Sequence, residues 1–445
     1  MKLWDKGIHT EKTVEEFTTS TDRILDVRLA AYDVLGNIAH ARMLESIGII
    51  TGDELKSLEK ALGKIMKKIQ EGSFEIEPGV EDIHSQIEII LTKELGEVGK
   101  KIHTGRSRND QVLVDLKLFT RQALKTVVIK TQKLFKILMK LSNKHKKLLM
   151  PGYTHMQVAM PSSFGLWFGS YAESLVDDMQ LLLAAYRIND QNPLGTAAGY
   201  GSSFPLNRTL TTQLLGFNNM QVNSAYAQTS RIKNEKTVAF ALSSLANTLS
   251  RLAMDVCLYS GQNYKFFILP DEFTTGSSIM PHKKNPDAFE LIRARCNKLV
   301  VLPYEISLIV ANLPTGYHRD YQLTKQNFIS SFDEMNECMN MMTLLMEHID
   351  VNPELMKDER YNDIFSVEEV NKQVIKGVPF RNAYKMVAEK IQNGTFKPDK
   401  KINHQHEGSI GNLCNDMIEQ KLDCIMLQFN FMKSEMAIKN LLGEY

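Results

Sequence analysis

The sequence is short of the features that mark an exported, membrane-bound or nucleic-acid-binding protein. Five cysteines occur in 445 residues, at Cys257, Cys296, Cys338, Cys414 and Cys424. The count is odd and no CxxC pair exists, which argues against a disulfide framework and for a reducing compartment. No apolar run reaches the roughly 20 residues of a membrane span. The N-terminus, Met1-Lys2-Leu3-Trp4-Asp5-Lys6, has no apolar signal core. An excess of one charge is missing too: 53 Lys and Arg stand against 52 Asp and Glu. That balance favours neither a polyanion nor a membrane surface as partner. Strand-like alternation is nearly absent. These lacks predict a soluble, cytoplasmic, all-α protein.

Glycine and proline are absent from Arg106 to Met150, and the stretch ends at Pro151-Gly152. Leu116, Phe119, Ala123, Val127, Leu134, Ile137, Leu138 and Leu141 recur through it at helical spacing. A single helix of that length is a rod on the order of 60 Å. A second such stretch runs from about Asn218 to Ser260 and stops at Gly261. Shorter ones cover 170–189, 286–302 with a continuation past Pro303, and 317–351 before Pro353. Five long amphipathic helices in succession predict a bundle. Several are apolar on more than one face, which predicts packing against other subunits. Shorter, glycine-broken helices flank this centre. The reading is three helical domains: residues 1–103, a central long-helix bundle at 104–352, and a small C-terminal domain at 353–445. Met335, Met339, Met342 and Met346 follow helical spacing and read as core packing.

Polar and reactive residues gather at three helix ends. In Thr275–Asp287, Asn285 reads as an N-cap and Pro286 as the first helical residue. A capped surface loop explains those two but not the paired serines, Met280-Pro281 or the paired lysines. In His103–Gln111, Ser107 or Asn109 can cap the long helix. Capping leaves unexplained why Arg106 and Arg108 sit where the helix dipole disfavours cations, and a bound carboxylate at Arg108 would resolve that. In Met150–Gln157, His155 alone reads more readily as a structural hydrogen-bonder. A His404-Gln405-His406 tail loop offers no third ligand at fixed spacing. No metal or cofactor is called for.

Together these segments resemble the fumarase/aspartase superfamily, whose loop pattern G-S-S-x-M-P-x-K-x-N-P stands complete at Gly276–Pro286. His103-Thr104-Gly105-Arg106-Ser107-Arg108-Asn109-Asp110-Gln111-Val112 and Met150-Pro151-Gly152-Tyr153-Thr154-His155-Met156-Gln157 resemble its argininosuccinate lyase branch. Glu81-Asp82-Ile83-His84, Asn192–Gly195, Leu249–Ala253 and Gly377–Arg381 agree, so the resemblance spans roughly residues 17 to 385.

The resemblance implies a carbon–nitrogen lyase that eliminates fumarate from argininosuccinate, reversibly, releasing arginine for its biosynthesis. It implies a homotetramer with a 20-helix core and sites assembled from three subunits. By match to the family, Ser277 is the base, and Lys283 with the loop N–H groups must stabilise its alkoxide. Lys283 and Asn285 hold the carboxylate that becomes the aci-form. Ser107, Arg108, Asn109 and Thr154 complete the fumaryl pocket. His155 is the general acid, or orients one, with Glu290 as its carboxylate partner. Tyr317, Gln322 and Lys325 meet the arginine half, and Gln157 assists orientation. For Lys325 taken alone, a solvated charged face explains the residue equally well. Three places depart from the family: Ser230-Arg231 is followed by Ile232 rather than Asp, Met254 stands where Glu is usual, and Tyr384 follows Ala383 in place of His. Two rivals remain, a lyase for another succinyl adduct and a catalytically silent structural protein.

Overall fold

The computed structural model describes residues 11–19 and 22–443. After short helices at Lys12–Thr19 and Asp22–Asp26, three helices form the N-terminal unit: α1 (Ala30–Ser46), α2 (Gly52–Gln70) and α3 (Ile83–Leu95). Thr51 and Glu54 close a capping box on α2, and Asp82 caps α3 by accepting from the Ser85 N–H. Their core includes Leu44, Leu58, Leu62, Ile83 and Leu91, and Val114 and Leu118 of the next helix join it.

That next helix, α4 (Arg108–His145), has 38 residues and is therefore about 57 Å long. It begins where Ser107 caps it and Asp110 reaches back to the Ser107 N–H. Its far end turns into a hairpin, β1 (Leu149–Thr154) and β2 (Gln157–Ser163), paired antiparallel. Helix α5 (Phe164–Asn189) then returns along α4. Two contacts mark its ends: the Ser142 hydroxyl donates to the Gly165 carbonyl, and the Lys117 ammonium to the Asn189 carbonyl. Glycine is required at 165, because a Cβ there would lie 2.5 Å from the Lys146 Cα.

Helix α6 (Lys233–Tyr259) runs beside α5, α7 (Asp287–Val300) runs back along α6 and continues after Val301 as α8 (Leu302–Ile309), and α9 (Tyr321–His348) completes the bundle. The five expected long helices are present, but the second is shorter than the spacing suggests. Ile232 sits at φ 70°, its N–H taken by the Glu235 carboxylate at 2.7 Å, and this starts the helix at Lys233. The residues before it form a two-residue parallel strand pairing and a separate short helix, Ser224–Thr229. Met335, Met339, Met342 and Met346 are fully buried, as the packing reading requires.

The bundle has two distinct ends. At one lie the starts of α4, α6 and α9, tied together where the Arg231 guanidinium sits 5.2 Å and 5.1 Å from the Tyr317 and Tyr321 ring centres. At the other lie the hairpin, the end of α6, the start of α7 and the end of α9. There Tyr153 packs on Tyr259 and Phe266, and Phe273 on His348. Beyond the bundle, α10 (Ser366–Ile375) and α11 (Phe380–Gln392) share a small core of Val370, Ala383 and Val387. Then α12 (Asn415–Met426) packs on α5, and α13 (Phe431–Leu442) returns to the N-terminal unit, where Arg42 donates to the Leu441 carbonyl. No described helix is long and apolar enough to cross a membrane.

Candidate active site

A cavity of about 440 Å³ opens where α4, α6 and α9 begin, against the start of α3. Six residues expected at the site line it: Ser107, Arg108, Asn109, Tyr317, Gln322 and Lys325. Asp26, Glu81, Asp82, His84, Arg231 and Arg319 line it with them. The helix starts explain the convergence, because each delivers its first turn to the same end of the bundle.

Several charges around the cavity are paired within the chain. Arg108 Nε lies 2.8 Å from Asp82, its Nη1 lies 3.0 Å from Glu81, and its Nη2 donates to the Ser85 hydroxyl. Arg319 takes the other Glu81 oxygen at 2.9 Å. Arg106 is buried and donates to Asn37. The conflict between two arginines and a helix N-terminus is thus answered by carboxylates and an amide of the chain itself. Burial alone would ease the Arg108 proton off, but Asp82 and Glu81 outweigh it and hold the group above its ordinary value. Lys325 is not on a solvated face: it is 5% exposed and pairs with Asp26, itself 4% exposed, at 2.8 Å.

Asp110 braces the cavity from behind. Its carboxylate accepts from the N–H groups of Ser107, Gly195 and Ala197, which holds the Asn192–Gly201 loop against the start of α4. Burial outweighs these donors and pushes its pKa up to about 6. Beneath the floor, His84 Nδ1 lies 2.9 Å from Asp33 and 3.6 Å from Asp115. Burial opposes the charge on His84, yet Asp33 keeps its pKa above the ordinary value. The ligand atoms of Asp33, His84 and Asp115 lie within 4.8 Å of one another, the spacing of a metal site. Burial and the neighbouring carboxylates hold Asp115 well above the usual range.

The remaining expected residues lie at the opposite end. Thr154 and Gln157 close the hairpin, with His155 (φ 52°) and Met156 (φ 60°) as its two-residue turn. All four side chains are exposed. Ser277 is half-buried in a loop closed by backbone pairing of Thr275 with Asn285. Its hydroxyl accepts from the N–H groups of Ile279 and Met280, at 3.4 Å and 3.2 Å. Asn285 is not the N-cap it was expected to be. Its N–H and C=O are committed to Thr275 and its amide donates to the Gly276 carbonyl, so Pro286 takes the cap position and α7 starts at Asp287. Lys283 and Glu290 are exposed, and no ion pair joins Glu290 to His155 within the chain among the described residues.

Sequence reasoning assigned no role to Arg231, Asp26 or Arg319. Arg231 was visible only in the Ser230-Arg231 pair beside a departure from the family pattern. Asp26 and Arg319 carried no local signal, because their partners are hundreds of residues away: Asp26 meets Lys325 and Arg319 meets Glu81.

Comparison with known proteins gives this geometry a family. Residues 6–301 match the model of a family described as lyase. An argininosuccinate lyase of Phocaeicola vulgatus is 56% identical over 442 residues, covering 99% of each chain. One of Thermotoga neapolitana is 41% identical over 389 residues, covering 87% of this chain and 98% of its own. Among solved structures, an EDDS lyase variant with bound fumarate superposes with a TM-score of 0.79 at 21% identity, covering 98% of this chain and 95% of that one. A class II fumarase of Schistosoma mansoni gives 0.72 at 15% identity, with 96% and 92% covered. These two share the fold. On the full-length matches, the chain belongs to the argininosuccinate lyases of the fumarase/aspartase superfamily.

Proposed function

We propose that the protein cleaves argininosuccinate reversibly into arginine and fumarate, in a site that two or more copies of the chain build together. The observation that carries this reading is the split of the site between the two ends of a helix about 57 Å long. Ser107, Arg108, Asn109, Tyr317, Gln322 and Lys325 can bind a small anionic substrate, but Ser277, the residue matched to the family's base, is not among the residues that line the cavity. The loop with Ser277 and the hairpin with His155 lie outside that cavity. Antiparallel packing of bundles would bring one copy's cavity to another's loop and hairpin. Exposed apolar side chains on the bundle helices support that packing, among them Leu181, Phe240, Leu291, Tyr304, Leu308, Leu323 and Met341. The family arrangement is a homotetramer, and the division into domains at 1–103, 104–352 and 353–445 belongs to the same proposal. Five free thiols and the absence of a described membrane-length helix support a cytoplasmic setting.

The chemistry is a β-elimination. Ser277 takes the proton from the carbon beside a carboxylate, and the resulting dinegative aci-carboxylate needs fixed positive charge. Lys283 and Asn285 supply that charge and a hydrogen bond, and the Ile279 and Met280 N–H groups already point at the Ser277 oxygen. Ser107, Arg108, Asn109 and Thr154 hold the fumaryl half. Arg108 reaches it by exchanging Glu81 for a substrate carboxylate. His155, paired with Glu290 of a neighbouring copy or its own, delivers a proton to the departing guanidine or orients the group that does. Gln157 orients, and Tyr317, Gln322 and Lys325 hold the arginine half. The test is fumarate release, read by ultraviolet absorbance, from argininosuccinate, with adenylosuccinate, aspartate and malate as controls. Turnover of argininosuccinate alone supports the proposal. No turnover of any by the folded oligomer removes it in favour of a silent structural protein.

A further inference from the structure

The other arginines and the lysine of the cavity are already partnered: Arg108 and Arg319 by carboxylates, Lys325 by Asp26, Arg106 by Asn37. Arg231 is different. It is 4% exposed, it lines the cavity, and its Nε and Nη1 have no hydrogen-bond partner among the described residues. It is held in place without using those donors. Its guanidinium lies against the rings of Tyr317 and Tyr321, and Ile232 after it is locked at positive φ by Glu235. A buried guanidinium with idle donors is costly unless an anion completes it. A planar carboxylate is the anion whose geometry suits it.

We propose that Arg231 is a specificity-determining residue that receives the α-carboxylate of the arginine half of the substrate. This rests on the proposed function, because it takes the ligand's identity from there. The choice of that carboxylate over those of the fumaryl half follows from position. Arg231 stacks on Tyr317, which lines the cavity with Gln322 and Lys325, the residues assigned to the arginine half. Arg108, assigned to the fumaryl half, is paired with Glu81 and Asp82 instead. The site thereby distinguishes an amino acid from the corresponding amine. A chain with the same cavity but no cation at 231 would accept both.

The experiment compares L-arginine, agmatine (the same molecule without its carboxylate) and fumarate as ligands of the intact oligomer. Binding is read by calorimetry, so it does not depend on turnover, and fumarate release is measured alongside. In the unaltered protein arginine binds more tightly than agmatine. Arg231→Gln is expected to weaken arginine roughly 100-fold, leave agmatine and fumarate within a few-fold, and so abolish the preference. Arg231→Lys restores part of it and guards against loss of fold, checked by an unaltered melting temperature. The inference is overturned if Arg231→Gln binds arginine as the parent does, or weakens agmatine as much as arginine, since that would make Arg231 only a support for Tyr317. Loss of fumarate binding in its place would also overturn it. An unaltered protein that prefers arginine yet releases no fumarate refutes the proposed reaction and leaves this inference standing.

Discussion

The Asp26–Lys325 pair joins the N-terminal segment to the first turn of α9 under the cavity, and its removal has a calculable cost. The two charges are 2.8 Å apart and 4% and 5% exposed. Asp26→Ala leaves an ammonium in a site that water barely reaches. Breaking one partner of such a buried pair costs about 3–5 kcal/mol. Asp26→Ala/Lys325→Met removes both charges and fills the lysine's volume with an apolar chain, so it should be more stable than Asp26→Ala alone. The coupling expected from the four-protein cycle is at least about 2 kcal/mol. Urea denaturation of the parent, both single variants and the double variant, at one protomer concentration, measures it. The reasoning fails if Asp26→Ala costs less than about 1 kcal/mol, the range of a surface pair.

Three other expectations concern the site directly. Ser277→Ala should lower kcat at least about 1,000-fold with KM nearly unchanged, as steady-state fumarate release will show; a variant keeping most of its kcat removes Ser277 from the base role. Arg108→Leu should raise KM at least about tenfold and also lose about 1–3 kcal/mol of stability, because Glu81 and Asp82 each lose a cationic partner; an unchanged KM eliminates the clamp. Asp110 is raised from 3.8 to about 6, so the folded state holds its proton more tightly than the unfolded state does. Its contribution is therefore fully present below pH 3.8 and lost as pH rises through 6, a fall of up to about 3 kcal/mol. Asp110→Asn, although less stable for want of an acceptor, should flatten that part of a denaturation-versus-pH curve; an unchanged slope refutes the assignment.

The long helices were legible because their signal is local. An unbroken apolar periodicity between Arg106 and Met150 can hardly form anything but a long helix, and α4 follows it closely. Helix starts were harder to read. At Asn285 the residue type favours a cap, but pairing with Thr275 across ten positions claims its backbone first. At Ile232 a β-branched residue adopts positive φ, which no propensity scale anticipates, because Glu235 and the buried Arg231 over-determine it. The motif residues were recognisable as a set, since their spacing is distinctive, but their places in space were not. Nothing within the sequence near Ser277 or near Arg108 says that a helix the length of the bundle separates them. The partner of Lys325 was hidden for the same reason, as an ion pair across hundreds of residues leaves no periodic trace.

The same geometry explains why the cavity is so heavily charged yet so nearly neutralised. A cavity that bound dianions through unpaired arginines alone would be expensive to fold, since every buried guanidinium needs a partner and without one is destabilising until a ligand arrives. Glu81 meets that need from the chain, bridging Arg108 and Arg319 in the absence of substrate. A carboxylate that can be exchanged for another of similar charge lets the pocket stay folded when empty and still recognise an acid. The cationic groups expected to stabilise the developing aci-carboxylate are placed where no such compromise arises. Lys283 is exposed on the loop at the far end of the bundle. On the proposed shared site, binding and proton transfer would be folded as separate halves, and the low-dielectric surroundings in which Lys283 would act most strongly would form only when halves of different copies meet.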